Sequence, residues 1–165
     1  MATREHTLDD LFVETLKDMY SAEKIILRAL PKMAKSAHSE ELRQAFEHHR
    51  DETETQVERL EQVFGMLQKS PRAKVCEAIQ GMVEEAKDVM DEFKGSDALD
   101  PGLVAAAQAV EHYEISRYGT LKSWAGQLGL HEAVKLLDTT LQEEKKTDQL
   151  LTKIAESAVN RQAAQ

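Results

Sequence analysis

Apolar residues recur along this chain at alternating steps of three and four, the spacing that lines one face of an α-helix. The first run is Phe12, Leu16, Met19, Glu23, Ile26, Leu30 and Met33. A second passes through Leu42, Ala45, His49, Glu52, Gln56, Leu60, Val63 and Leu67. A shorter third takes Val75, Ile79, Met82, Ala86, Val89 and Phe93. The fourth presents Leu103, Ala107, Val110 or Glu111, Glu114, Tyr118, Leu121, Ala125 and Leu128. The last presents Ala133, Leu137, Leu141, Glu144, Asp148, Leu151 and Ile154.

Cap signals bound these runs. Thr7, with Asp10 three residues on, makes a capping box of the weaker kind, and Ser39 is a second N-cap. Ser70-Pro71 and Asp100-Pro101 each read as a cap followed by proline at the first helical position. Pro31 should kink the end of the first helix, Gly95-Ser96 ends the third, and the last frays after Val159. The pattern predicts one all-α domain over residues 1–165, with a first hairpin at 8–67, a crossover helix at 71–94 and a second hairpin at 101–159. A four-helix bundle with one long helical crossover, five helices in total, fits that order and lets the second and fourth helices run parallel.

The helical faces are acidic in mid-course. Glu23 and Glu52 lie 29 residues apart with their midpoint at the turn near His38, and Glu114 and Glu144 lie 30 apart about Gly129. In an antiparallel pair, residues equidistant from the turn sit side by side, so each hairpin brings two carboxylates level. The halves also repeat, with 91 residues from Glu23 to Glu114 and 92 from Glu52 to Glu144. Four ionised carboxylates at one level repel unless they are protonated or meet cations. Two divalent metals balance them, and with His49 neutral the oxygen-rich set suits two iron ions, or manganese.

Composition narrows the function classes. Three prolines, seven glycines and 5% aromatics favour long helices. A net charge of -9 removes the basic face that nucleic acid or an anionic membrane wants. No apolar run approaches the roughly 18 residues of a membrane span, and the start from Met1 to Asp10 is polar. The single Cys76 forms no internal disulfide and fits a reducing compartment, so a cytoplasmic protein is expected.

Several segments together resemble the ferritin-like YciE/YciF family of bacterial stress-associated proteins, from about Leu8 to Ala155. They are Asp18-Met19-Tyr20-Ser21-Ala22-Glu23-Lys24, the stretch from His49 through Glu52-Thr53 to Gln56-Val57-Glu58-Arg59-Leu60-Glu61, then Glu111-His112-Tyr113-Glu114-Ile115, and Glu143-Glu144-Lys145 with Asp148. The resemblance implies a ferritin-like core of four helices plus one, a dinuclear metal site, a role in stress response and, with the amphipathic extra helix, a homodimer. One departure stands out: the Glu-x-x-His of ferritin-like sites is absent, since Thr55 and Thr147 stand three after Glu52 and Glu144. The candidate ligands are thus Glu23, His49, Glu52, Glu114 and Glu144, with Glu111 additional or alternate, and Tyr20, Gln56 and Asp148 behind them. Tyr113 and Tyr118 read as packing residues, and His48 and His112 as flanking groups.

The expected function is a carboxylate-bridged di-iron protein that handles ferrous iron with oxygen or peroxide. The alternative is a non-catalytic helical scaffold with a weak or vestigial site. A third reading, a small-molecule hydroxylase or desaturase, needs an apolar pocket beside the metals.

Overall fold

The computed structural model describes residues 5–165, and every regular element among them is helical. Met1 to Arg4, the start of the polar N-terminal stretch, lie outside the described residues. The elements are α1 (Leu8–Ser36), α2 (Glu40–Met66), α3 (Glu77–Glu92), α4 (Leu99–Gln127) and α5 (His131–Ile154). After α5 the chain passes through a π-helical turn, Ala155–Val159, into a last turn, α6 (Asn160–Ala163).

Helices α1 and α2 pack as one hairpin and α4 and α5 as the other, while α2 lies on α5, α1 on α4, and α3 across α1 and α4. Side-chain pairs set the directions. Asp100, at the start of α4, meets His38 beyond the end of α1, and Gln56 and Arg59 of α2 meet Glu143 and Thr140 of α5. Helices α2 and α4 therefore run parallel, and the crossover carries the chain back along the bundle. This is the ferritin-like four-helix arrangement with one helical crossover.

The two hairpin turns fall at 37–39 and 128–130, where the spacing of the acids places them. Ser39 caps α2 by accepting from the Leu42 amide at 3.3 Å, and Thr7 and Asp10 form the reciprocal box on α1. Helices α2 and α4 end in the same motif: Lys69 N–H donates to the Phe64 carbonyl, Leu130 N–H to that of Ala125, and the residue before each donor is left-handed. In α4 that residue is Gly129 (φ 72°), but in α2 it is Gln68 (φ 55°).

Four local expectations need correction. Ser70-Pro71 does not start α3, because the chain stays without regular structure to Cys76, where Lys74 N–H bonds the Lys17 carbonyl and Cys76 N–H the Ser21 hydroxyl. Anchoring to α1 wins over the cap signal, and Val75 and Phe93 stay exposed instead of joining the buried face. Asp100 is not an N-cap either: α4 begins a residue earlier, and the buried carboxylate accepts from the His38 and Ser39 amides at 2.9 and 2.6 Å. The chain beyond Val159 does not fray but stays helical through Ala163; helix α1 carries the exposed Pro31 within it and ends at Ser36.

The faces bury much as the periodicity requires. Phe12, Leu16 and Met19 of α1, Leu103, Tyr118 and Leu121 of α4, and Leu137 of α5 are all fully or almost fully buried; each large apolar side chain contributes about 1.5–3 kcal/mol. Gly102 has a packing reason: a Cβ there would lie 2.6 Å from Val89 Cγ1, so its absence lets α3 rest on the first turn of α4. No helix among the described residues is long and apolar enough to cross a membrane.

Candidate metal centre

Helix α1 delivers Glu23, α2 delivers His49, α4 delivers Glu111 and Glu114 one turn apart, and α5 delivers Glu144 to a common level inside the bundle. All five are buried, none more than 3% exposed. One ligand atom from each of His49, Glu111, Glu114 and Glu144 lies within 4.8 Å of the others. His49 Nε2 is 3.0 Å from Glu111 Oε1 and 3.7 Å from Glu144 Oε2, and its Nδ1 is 3.7 Å from Glu52 Oε2.

At 3.0 Å the His49–Glu111 pair is close enough for a hydrogen bond, yet neither ring nitrogen makes one. Neighbouring ligands at about 2.1 Å from one octahedral ion stand about 3 Å apart while aiming at the ion, not at each other. Glu23 is held differently, accepting a short hydrogen bond from the Tyr118 hydroxyl. Its carboxyl also neighbours that of Glu114, and two such acceptors coexist by holding a proton or by meeting a cation.

The electrostatics fit a site that wants positive charge. Burial raises the Glu23 carboxyl to about 7. Burial and then the neighbouring Glu144, Glu23 and Glu111 push Glu114 well above the carboxylate range, and burial with Glu111 does the same for Glu144 against the opposing pull of His49. Burial disfavours a charged His49, but Glu111 and Glu144 outweigh it and lift the imidazole well above its usual value. Without a cation, these groups must hold protons to coexist.

Written as carboxylates, the buried side-chain atoms left without a hydrogen-bond partner among the described residues are Glu23 Oε2, Glu111 Oε2, both oxygens of Glu114 and of Glu144, both nitrogens of His49, and Gln56 Oε1. Each such orphan costs about 1–3 kcal/mol. Carboxylate oxygens only accept, so protons or a metal cation would complete them, and the group of His49, Glu111, Glu114 and Glu144 could hold a metal ion.

The other proposed site residues fall outside that tight group. Glu52 is 22% exposed at the rim, 3.3 Å from His48 Nε2. Its partial burial raises its pKa, but His49 and His48 outweigh that and lower it. The buried stripe of α2 runs His49, Thr53, Gln56, Leu60, and at 3.6 residues per turn Glu52 lies about 60° to one side of His49. Tyr20 donates instead to Glu61 at 2.8 Å, and Asp148 meets His112 and Gln108 at 3.1 and 3.2 Å. Gln56 is buried and donates to Glu143 at 3.1 Å.

Residues 7–164 match the family described as a domain of unknown function, DUF892. The chain belongs to the DUF892 family. Protein YciF of Escherichia coli strain K12 is 47% identical over 159 residues, 95% of each chain. The crystal structure of the E. coli stress protein YciF matches with a TM-score of 0.90 at 45% identity, covering 94% of this chain and 99% of that one. YcfI from Rhodopseudomonas palustris matches at 0.87 and 44%, over 92% and 98% of the two chains. A more distant protein from Xanthomonas campestris still gives 0.76 at 25%, over 94% and 96%.

In this DUF892 chain the site also includes residues that periodicity alone did not single out. Tyr118, read as packing, is the hydrogen-bond donor to Glu23. Its place in the α4 face one turn beyond Glu114 was the available signal. Thr53 is wholly buried and donates to the His49 carbonyl at 2.7 Å, on the same turn that presents the imidazole. Thr147 is buried and Thr55 exposed, so no second imidazole stands at either position.

Proposed function

We propose that this DUF892 protein binds two metal ions, iron before manganese, among Glu23, His49, Glu52, Glu111, Glu114 and Glu144, and oxidises ferrous iron in stress defence. The observation that supports this best is the set of buried, unpartnered acceptors contributed by four separate helices. Two divalent ions bring four positive charges into a region where protons otherwise have to. When bound, a ferrous pair supplies two electrons, which with two protons turn dioxygen into hydrogen peroxide or peroxide into two waters.

The chain's own residues prepare for that. Protons held on Glu23, Glu114, Glu144 and His49 leave as metal enters. Tyr118 fixes Glu23 and keeps a proton beside it. Glu52, partly exposed at the rim, faces incoming cations, while the apolar faces above and below exclude bulk water. The reading takes the protein as a cytoplasmic homodimer, with Val75 and Phe93, apolar and exposed on either side of α3, as the surface that would meet a second copy.

Loading the purified protein with ferrous iron without oxygen, then removing the excess, tests the site. Two tightly held ions per chain are expected, and fewer than one refutes the reading. The missing second imidazole at Thr55 and Thr147 favours a second reading, a helical scaffold with a weak site. Under it, Glu52→Leu and Glu144→Leu change neither metal content nor, adversely, stability.

A further inference from the structure

A narrow cavity adjoins the carboxylate cluster. His49 and Glu111 form its inner end, and the half-buried Ala29, Met82, Val83 and Ala106 lie towards its outer side, where α3 crosses α1 and α4. Apart from His49, Glu111 and Thr147, its lining is apolar. The room for the centre of a water-sized guest is about 20 Å³, where one water requires about 10–15 Å³. It takes one very small molecule and no hydrocarbon chain, so the pocket that a hydroxylase or desaturase needs is present in position but not in size.

Its chemistry selects among small guests. An apolar cavity stays dry and accepts apolar gases, as cavities that bind xenon do. Peroxide and water lose their hydrogen bonds on entering such a passage, at a cost of a few kcal/mol, and regain partners only at the far end. Small side chains keep the passage open, with Ala86 on α3 and Ala107 on α4 standing where larger residues would close it.

We propose that this slot delivers dioxygen, in preference to peroxide, to the His49–Glu111 side of the cluster. The inference rests on the iron-oxidising reading for its purpose but not for its existence. Xenon pressurisation of metal-free crystals tests the slot directly. A xenon atom between Ala86, Ala107 and Leu30 is expected, and an empty slot at saturating pressure overturns the proposal. In solution, Ala86→Leu, on a helix that contributes no ligand, should remove the xenon site. With metal content unchanged, it should slow oxygen-driven oxidation of added ferrous iron at least about fivefold and leave the peroxide-driven rate alone. Val83→Phe at the outer side serves if Ala86→Leu does not fold. Equal slowing with both oxidants, or slowing with neither, overturns the proposal. Should the protein take up no iron, the function proposed above fails while the xenon result still decides the slot.

Discussion

Glu143 and Glu144 are neighbours on α5 with opposite situations. Glu143 receives two bonds from the Arg59 guanidinium, at 2.6 and 2.7 Å, and one from Gln56, while Arg59 also reaches Thr140. Glu144 is wholly buried, and neither of its oxygens has a hydrogen-bond partner. The first carboxylate closes a pair that staples α2 to α5. The second belongs to a set that the protein leaves incomplete. Polar groups in a bundle interior thus divide by whether the chain itself satisfies them, and only the unsatisfied set calls for something from outside.

Substitutions at these two positions should separate the roles. The largest effect is expected from Glu144→Leu, which should abolish tight metal uptake while making the metal-free protein as stable or up to about 4 kcal/mol more stable. Metal analysis and denaturant unfolding in chelator read both parts. Wild-type metal content in that variant would place the ligands elsewhere. Glu143→Leu should do the reverse, costing about 1–3 kcal/mol by leaving the partly buried Arg59 unpaired, with metal still bound.

Protons should sharpen the contrast in metal-free protein. The Glu23 carboxyl, at 4.5 when unperturbed, rises to about 7 in the fold, and Glu114, Glu144 and His49 shift upward too. A pKa raised by folding contributes stability that is complete below the unfolded value and fades as pH climbs through the folded one. Melting temperature in chelator should therefore fall between about pH 5 and pH 8, and metal should remove that fall. Glu52, lowered by its histidines, has the opposite sign, and its contribution is lost on acidification. A flat profile without metal would show that the cluster does not need its protons. The smallest change is Gln68→Gly, which should stabilise by about 1 kcal/mol by removing a side chain from a left-handed position, with no effect at the centre.

Much of this architecture was legible before any coordinates. The face of α1 is long and regular, so its phase is unambiguous and Glu23 falls where expected; Glu114 is buried on α4 as expected too, although Val110 and Glu111 left the phase of that helix open. On α2 several polar residues follow one another. There the choice among neighbours depends on which helices flank it, and the buried stripe passes through Thr53 and leaves Glu52 at the rim. Glu111, kept as an alternate, is as central as Glu114 because α4 is covered by α1, α3 and α5 and buries more than one stripe. The start of α3 differs for another reason: Ser70-Pro71 is a sound local signal, but tertiary bonds from Lys74 and Cys76 to α1 hold that segment out of a helix. Tyr118 was placed correctly on its face, yet only three dimensions show what its hydroxyl meets.

The exposed, non-helical run of residues 69–75 divides the molecule more deeply than its length suggests. Everything before it carries Glu23, His49 and Glu52, and everything after it carries Glu111, Glu114 and Glu144. A protease cut there would yield two fragments, each owning only part of the candidate metal site, so neither could rebuild it without the other.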